Sequence, residues 1–210
     1  MTFSGIDARF NILTVCAGNL CRSPIAERIL RARLLSRVVD VASAGLVANE
    51  GQTMPPEAQR VLSDLGVEFD PPHHARRISR EFVVQADLIL VMTRDQRSEI
   101  ARMDPRAHRR TFTLREFARL AVGPSESGAA PSSSHWLADA IDETANRRGS
   151  VPLRHPEDDD IADPYGKSRA VYRRAGLQID EAVTTIAAIW NAELRPPGRG
   201  VGEMSTSSIQ

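Results

Sequence analysis

The sequence contains only two cysteines, Cys16 and Cys21, which are too few for a disulfide-stapled scaffold. A reducing, cytoplasmic setting is therefore predicted. Long apolar runs are also missing: no stretch approaches the ~18 residues that a membrane span needs, and residues 1–9 lack the apolar core of a secretory signal. Charge of one sign is not in excess, since 27 basic residues balance 27 acidic ones. The composition therefore gives no reason to expect nucleic acid or a membrane surface as a partner.

Short apolar runs alternate with helical stretches along the chain. The apolar runs predict strands at about 11–15, 38–42, 88–92 and 111–114. Helices are predicted at about 25–35, 56–65, 94–103 and 168–193. The last helix carries apolar residues at helical spacing, so one of its faces is expected to turn towards the core. This order predicts an α/β fold, a doubly wound four-stranded parallel sheet with helices on both faces.

A single domain is predicted over residues 1–194, followed by a disordered tail over 195–210 that is rich in Pro, Gly, Ser and Thr. Within the domain, residues of about 122–160 form a long link between the fourth predicted strand and the last predicted helix. Its first part, 123–134, has the composition of a flexible connector. Its second part, 135–147, could form a short helix with Trp136, Leu137, Ala140 and Ile141 on one side. That helix is either a lid or docking element near the functional site or a plain surface element.

The most informative segment is Val15-Cys16-Ala17-Gly18-Asn19-Leu20-Cys21-Arg22-Ser23. It follows the first predicted strand and precedes a helix that Ser23 could cap and that Pro24 could begin. A tight loop between a strand and a helix N-terminus turns backbone N–H groups towards one point, where they favour an anion. We therefore predict an anion-binding loop over residues 16–22.

A nucleophile and a planar cation occupy the two ends of this loop. The helix N-terminus and the guanidinium of Arg22 favour the thiolate of Cys16, which could then attack a phosphorus atom. Arg22 and the loop amides would hold the equatorial oxygens, while a hydrogen bond from Ser23 would favour the ionised sulfur. The alternative is a buried structural cysteine at a strand end. No histidine pair stands near the cysteines, so a zinc site is not predicted.

The segment resembles the active-site loop of the low-molecular-weight protein tyrosine phosphatases. The resemblance continues through further stretches in the same order: Ser43-Ala44-Gly45 as a turn after the second strand, His73-His74-Ala75-Arg76, the third strand from Ala86 to Met92, and Asp163-Pro164-Tyr165. It implies a fold with the phosphate loop after the first strand. It also implies hydrolysis of phosphotyrosine in proteins through a cysteinyl-phosphate intermediate, with inorganic phosphate as product and no metal or organic cofactor.

The resemblance also implies roles for individual residues. Those for catalysis are Cys16, Arg22 and Asp163; those for substrate binding are Ala17, Gly18, Asn19, Leu20, Cys21 and Tyr165. A supporting hydrogen-bond network would join Asn19 to Ser23, Ser43 and His73, although His73 could equally lie on the surface. Under oxidants, Cys16 and Cys21 could form a disulfide that protects the nucleophile.

Asp163 is one of several neighbouring carboxylates. The run from Glu157 to Asp160 is expected to be a solvated loop. Asp163 differs because Pro164 fixes the backbone after it and Tyr165 offers a flat wall for an aromatic substrate. It is therefore predicted as the general acid, with the N-cap of the final helix as its alternative role.

Two departures from the family pattern bear on function. Residues of about 122–160 look longer than the family's usual link to the acid and are therefore expected to contain an insertion. The family often has an aromatic residue shortly after Ser-Ala-Gly, but residues 46–51 contain none. The family also includes protein arginine phosphatases, which tend to have threonine at the position of Leu20. Further alternatives are an arsenate reductase that uses external thiols and a non-catalytic phosphopeptide-binding module. The protein is predicted to be a monomer.

Overall fold

The computed structural model describes residues 9–34, 39–121, 135–153 and 155–194. The predicted tail over 195–210 and the predicted connector over 123–134 lie outside the described residues. Within the described parts of the chain, no helix combines the length and apolarity that crossing a bilayer requires.

Four parallel strands form the sheet, in the order β2-β1-β3-β4. The strands are β1 (Phe10–Cys16), β2 (Val39–Gly45), β3 (Leu88–Val91) and β4 (Thr111–Thr113). The predicted four-stranded parallel sheet is thus confirmed. One detail is wrong: Ser43-Ala44-Gly45 is the end of β2, not a turn after it. Pairing with β1 continues to Cys16 opposite Gly45, so backbone hydrogen bonds keep these residues extended.

Helices connect and cover the strands. The α-helices are α1 (Arg22–Arg33), α2 (Pro56–Asp64), α3 (Arg80–Gln85), α4 (Arg94–Met103), α5 (Leu114–Leu120), α6 (His135–Asn146) and α7 (Arg169–Leu194). Short 3₁₀ helices run over Pro105–Arg110 and Pro156–Asp159. Helices α3 and α5 were not predicted from the sequence. Helix α5 starts directly after the three-residue strand β4, because Thr113 and Glu116 form a reciprocal capping box.

The strand order places the first loop at a topological switch point. From β1 the chain passes through α1 to β2 on one side, and it later returns to β3 on the other side. Connections that leave in opposite directions open a crevice beyond the carboxyl ends of the two central strands, where ligands bind in open α/β sheets. Cys16 is the last residue of β1 and therefore lies at this crevice.

Apolar clusters fill both faces of the sheet. One contains Leu13, Val15, Ile89 and Val91, and the other contains the alternate residues of the same strands together with much of α1 and α7. The predicted core face of the last helix is confirmed: its apolar residues at helical spacing are buried, namely Ile179, Val183, Ile186 and Trp190.

Helix α6 lies at the end of the sheet opposite to the crevice. Its Asp142 pairs with Arg109 at 3.2 Å, and Ile141 and Asp142 line a surface cleft together with Phe10 at the start of β1. Leu137 and Ala140 are buried in the core cluster. The interpretation of this helix as a lid near Cys16 is therefore wrong, since it covers the amino ends of the strands.

Candidate active site

Helix α1 begins two residues earlier than the Ser-Pro pair suggests. Its first residue is Arg22, its N-cap position is Cys21, and no side chain caps it. Ser23 is therefore not a cap, and its hydroxyl instead lies 3.0 Å from the Cys16 sulfur. The five residues from Ala17 to Cys21 turn between the strand and the helix, which puts the Cys16 sulfur, at the end of β1, in front of the helix N-terminus.

Asn19 organises the anion-binding loop. It has a φ of 53°, and no other non-glycine residue in the described ranges has a positive φ. Its side-chain oxygen accepts the backbone N–H of Arg76 at 2.9 Å, and this fixes which end of the amide carries the nitrogen. The nitrogen then donates to Ser23 at 3.0 Å and to Ser43 at 2.9 Å. The asparagine thus ties the loop to β2.

This arrangement fixes the direction of the hydrogen bond to sulfur. The Ser23 oxygen accepts from Asn19, so its single proton is free to donate to Cys16 Sγ. A competing carbonyl, that of Ala44, is more distant from the hydroxyl at 3.4 Å. A hydroxyl that donates to sulfur favours the thiolate over the thiol.

His73 and Glu27 support the hydrogen bonds that Asn19 makes with Ser23 and Ser43. His73 is buried, and burial lowers the pKa of its imidazole below the ordinary value. Its Nε2 lies 2.7 Å from the carbonyl oxygen of Asn19, which can only accept, so a neutral ring donates there. The Ser43 hydroxyl donates to the buried carboxylate of Glu27, which also pairs with Arg31 at 2.8 Å. Glu27 was not predicted from the sequence: it lies on α1, and its partners are Ser43 on β2 and Arg31 one helical turn away.

Gly45 allows the anion-binding loop to approach β2. A Cβ at this position would lie 2.7 Å from the carbonyl oxygen of Ala17 and 2.7 Å from the backbone nitrogen of Asn19. Both are backbone atoms of the loop, so neither could rotate away. The glycine of the Ser-Ala-Gly stretch therefore has a physical role, which is close backbone approach rather than a turn.

Gly45→Ala is accordingly expected to destabilise the protein by about 1–3 kcal/mol, the usual range for overpacking. Because the added methyl group would push the loop away, kcat should fall even at temperatures where the variant is fully folded. Urea unfolding measures the first effect, and the turnover of an aryl phosphate, the substrate class that the family resemblance implies, measures the second. A variant with wild-type kcat would contradict the contact that we describe.

Arg22 points its guanidinium into the crevice although the side chain is almost fully buried. Nη1 donates to the carbonyl of Ile161 at 2.9 Å, and Nη2 contacts the Asp163 carboxylate at 2.5 Å. Nε has no hydrogen-bond partner among the described residues. A buried guanidinium N–H without a partner is costly, which suits a donor reserved for an anionic ligand.

Cys21 is placed differently from Cys16. Burial raises the pKa of its thiol to about 12, and its sulfur lies 3.9 Å from the hydroxyl of Tyr172. Cys21 therefore stays protonated at neutral pH and is no rival nucleophile. Both cysteines are free, and a disulfide between them under oxidants stays a prediction.

Asp163 and Tyr165 stand across the crevice from the loop. Helix α7 begins only at Arg169, so Asp163 is not its N-cap, and that alternative is wrong. The Asp163 carboxylate accepts the backbone N–H of Tyr165 at 3.1 Å. With Cys16 and Arg22 these residues line a cleft of about 300 Å³.

The remaining wall of the cleft has no aromatic side chain. It is formed by Leu20, Val47, Asn49 and Gln52. Val47 is 65 % exposed and Tyr165 is 53 % exposed, so both present apolar surface at the mouth. An aromatic substrate would thus meet one ring and one aliphatic wall, with two amide side chains beside them.

The expectation of a solvated carboxylate run is wrong for two of its four residues. Asp159 is buried and pairs with Arg119 at 2.8 Å, and the Asp160 side chain pairs with Arg94 at 3.4 Å. Their arginines lie 40 and 66 residues earlier in the chain, which a sequence pattern cannot reveal. Glu157 is exposed, as expected.

Comparison with known proteins agrees with this geometry. The family model described as low molecular weight phosphotyrosine protein phosphatase matches residues 11–124. A low molecular weight protein-tyrosine-phosphatase, Ptp of Acinetobacter johnsonii, is 38 % identical over 104 residues, which is 50 % of this chain and 71 % of that protein. A protein-arginine-phosphatase of Geobacillus stearothermophilus is 30 % identical over 178 residues, 85 % of this chain and 94 % of that protein.

The fold is also similar to that of solved phosphatase structures. The YwlE arginine phosphatase from Geobacillus stearothermophilus superposes with a TM-score of 0.64 at 28 % identity, covering 88 % of this chain and 94 % of that one. The AmsI tyrosine phosphatase of Erwinia amylovora gives 0.60 at 26 % identity, covering 93 % and 99 %. The chain therefore belongs to the low molecular weight phosphotyrosine protein phosphatase family and is a protein phosphatase.

Proposed function

We propose that the protein hydrolyses phosphotyrosine in proteins, with Cys16 as nucleophile, Arg22 as phosphoryl-binding residue and Asp163 as general acid. The observation that carries this proposal is that a sulfur, a guanidinium and a carboxylate line one cleft at the switch point of the sheet. Each group has a different task in the transfer of a phosphoryl group, and none of them requires a cofactor.

The reaction would proceed in two steps. Cys16 Sγ forms a bond to phosphorus while the bond to the phenolic oxygen breaks, and Asp163 gives its proton to that oxygen. The loop amides from Ala17 to Arg22 and the Arg22 guanidinium bind the equatorial oxygens, where negative charge is spread in the transition state. A water molecule, deprotonated by Asp163, then attacks phosphorus and releases inorganic phosphate from the sulfur.

The shape of the cleft supports an aryl ester as substrate. Leu20 and Val47 provide an aliphatic wall and Tyr165 provides a ring, surfaces that gain from contact with a flat apolar group. Arginine phosphorylation is the second candidate, since a relative similar over 85 % of this chain is a protein-arginine-phosphatase. Against it stands the side chain of Leu20, at the position where such phosphatases tend to have threonine.

A direct comparison of substrates tests the assignment. We expect a kcat/KM for a phosphotyrosine peptide at least about tenfold above that for the same peptide with phosphoarginine, the scale that one well-fitted apolar wall supplies. Leu20→Thr should narrow this ratio. A wild-type preference for phosphoarginine would overturn the tyrosine assignment, binding without turnover would indicate a phosphopeptide-binding module, and arsenate reduction with external thiols would indicate a reductase.

Asp163→Asn should lower kcat/KM for phenyl phosphate by about 100-fold, because an amide cannot donate the proton that a poor leaving group needs. With p-nitrophenyl phosphate the loss should be much smaller, since p-nitrophenolate leaves without protonation. Steady-state rates with both esters check this. Equal losses for the two substrates would contradict the role of Asp163 as general acid.

We also propose that the enzyme acts as a monomer in the cytoplasm on phosphoprotein substrates. A reducing compartment would keep the two free cysteines reduced and Cys16 reactive, which supports that location. Sedimentation of the purified full chain tests the oligomeric state.

A further inference from the structure

The residues that precede Asp163 make several contacts with other parts of the protein. We call residues 159–163 the acid segment. At its start, the buried Asp159 receives two hydrogen bonds from Arg119 of α5, from Nη2 at 2.8 Å and from Nε at 3.3 Å. Arg119 also donates to the carbonyl of Val151 at 3.0 Å. The bidentate contact fixes both the position and the plane of the carboxylate.

Asp160 forms the second anchor, on a different element. Its Oδ1 accepts the backbone N–H of Arg94, the first residue of α4, at 2.8 Å. Its Oδ2 contacts the Arg94 guanidinium at 3.4 Å. One side chain thus ties the acid segment both to the N-terminus of a helix and to a cation.

Ile161 forms the third anchor, through its backbone. The side chain is fully buried, and the N–H donates to the carbonyl of Met92, just beyond β3, at 2.8 Å. Its carbonyl accepts from Nη1 of Arg22 at 2.9 Å. Three consecutive residues are therefore fixed to three different parts of the molecule, and Asp163 follows two residues later.

The carboxylate of Asp163 itself has much weaker support. Its side chain is 49 % exposed, and its only ion-pair partner among the described residues is Arg22. Arg22 must also bind the phosphoryl group, so its contact with Asp163 has to be shared or given up when substrate enters. The position of the proton donor during the reaction then depends on the residues before it.

We propose that Asp159 and Asp160 are positioning residues, whose contacts with Arg119 and Arg94 hold Asp163 at the distance from which it can protonate the leaving oxygen. This inference rests on the proposed role of Asp163 as general acid. An error of 1 Å in such a position can cost about 100-fold in rate. Loosening either anchor should therefore impair proton donation selectively, while attack by Cys16 continues.

Asp160→Ala is the principal test, and Glu157→Ala is its matched control. Both changes remove one carboxylate from the same stretch of four, but Glu157 is exposed and Asp160 binds α4. The measurement is kcat/KM for phenyl phosphate, which releases a phenol with a pKa of about 10, and for p-nitrophenyl phosphate, which has a good leaving group. Thermal unfolding of each variant shows that the compared proteins are folded.

We expect Asp160→Ala to lower kcat/KM for phenyl phosphate about tenfold or more and that for p-nitrophenyl phosphate less than about threefold. Glu157→Ala should leave both values unchanged. Asp159→Asn is the second variant. It keeps the side-chain volume but weakens the charged contact with Arg119, and it should likewise lower kcat/KM for phenyl phosphate more than that for p-nitrophenyl phosphate.

Equal losses for the two esters, or no loss, in folded Asp160→Ala and Asp159→Asn would overturn the positioning role. Asp163→Asn separates this failure from that of the proposed function. If Asp163→Asn is selective for phenyl phosphate and the anchor variants are not, only the present inference is wrong. If Asp163→Asn is not selective either, the general-acid assignment fails and the inference falls with it.

Discussion

Cys16→Ser is expected to lower kcat by about 10⁴-fold or more, because removal of a covalent nucleophile leaves only the residual catalysis of the binding groups. The serine hydroxyl would occupy the same place at the end of β1, but it is far less acidic than a thiol. Arg22 and the loop amides would remain in place. The variant should therefore still bind inorganic phosphate, and calorimetric titration with phosphate checks this alongside the rate assay.

Cys21→Ser provides the matched control for that change. Its thiol is buried beside Tyr172 and has a pKa raised to about 12, so it contributes no reactive sulfur at neutral pH. We expect kcat to change by less than about tenfold, through packing in the loop alone. A large loss in Cys21→Ser together with a mild one in Cys16→Ser would mean that the nucleophile has been assigned to the wrong cysteine.

Arg22→Lys is expected to lower kcat/KM by about 10³-fold or more, the scale that a transition-state arginine contributes in phosphoryl transfer. The charge is kept, but the lysine ammonium cannot reproduce the planar fork that contacts Ile161 and Asp163 and leaves Nε for the ligand. The loss should be similar for p-nitrophenyl phosphate and phenyl phosphate, since binding of the phosphoryl oxygens is needed with either leaving group.

Arg33→Lys is the control, because Arg33 lies on the same helix and has an ion pair of its own with Asp180 of α7. It is far from the crevice, and its replacement should affect thermal stability slightly and kcat/KM less than about twofold, as expected for a partly exposed ion pair. If Arg22→Lys were as mild as Arg33→Lys, the guanidinium would not be the phosphoryl-binding group.

Much of the fold could be predicted because the apolar runs have the right lengths and alternate with amphipathic stretches. The predicted 94–103 helix coincides with α4, which Thr93 caps through its side chain. Helix α3 was missed because only six residues form it, too few for a 3.6-residue period to show. The small residues at the end of β2 predict a turn, whereas their extended conformation depends on pairing with β1.

The candidate site could also be predicted only in part. The loop from Cys16 to Arg22 could be recognised because its residues are contiguous and each type suits one chemical task. The contacts that support it are not contiguous. Glu27 contacts Ser43, and the acid segment is bound by Arg119 and Arg94. The residues of these pairs are 16 to 66 positions apart in the chain, and only folding brings them together. No local pattern distinguishes such residues from solvated surface charges.

The central claim is that the phosphoryl group passes through the Cys16 sulfur, and chemical quenching tests it most directly. Full-length protein is mixed with radiolabelled aryl phosphate, quenched with acid during turnover, and digested for mass spectrometry. We predict one labelled peptide, with a phosphoryl group on Cys16, that disappears when chased with unlabelled substrate. Turnover without any labelled cysteine, or with the label on Cys21 instead, would contradict the mechanism.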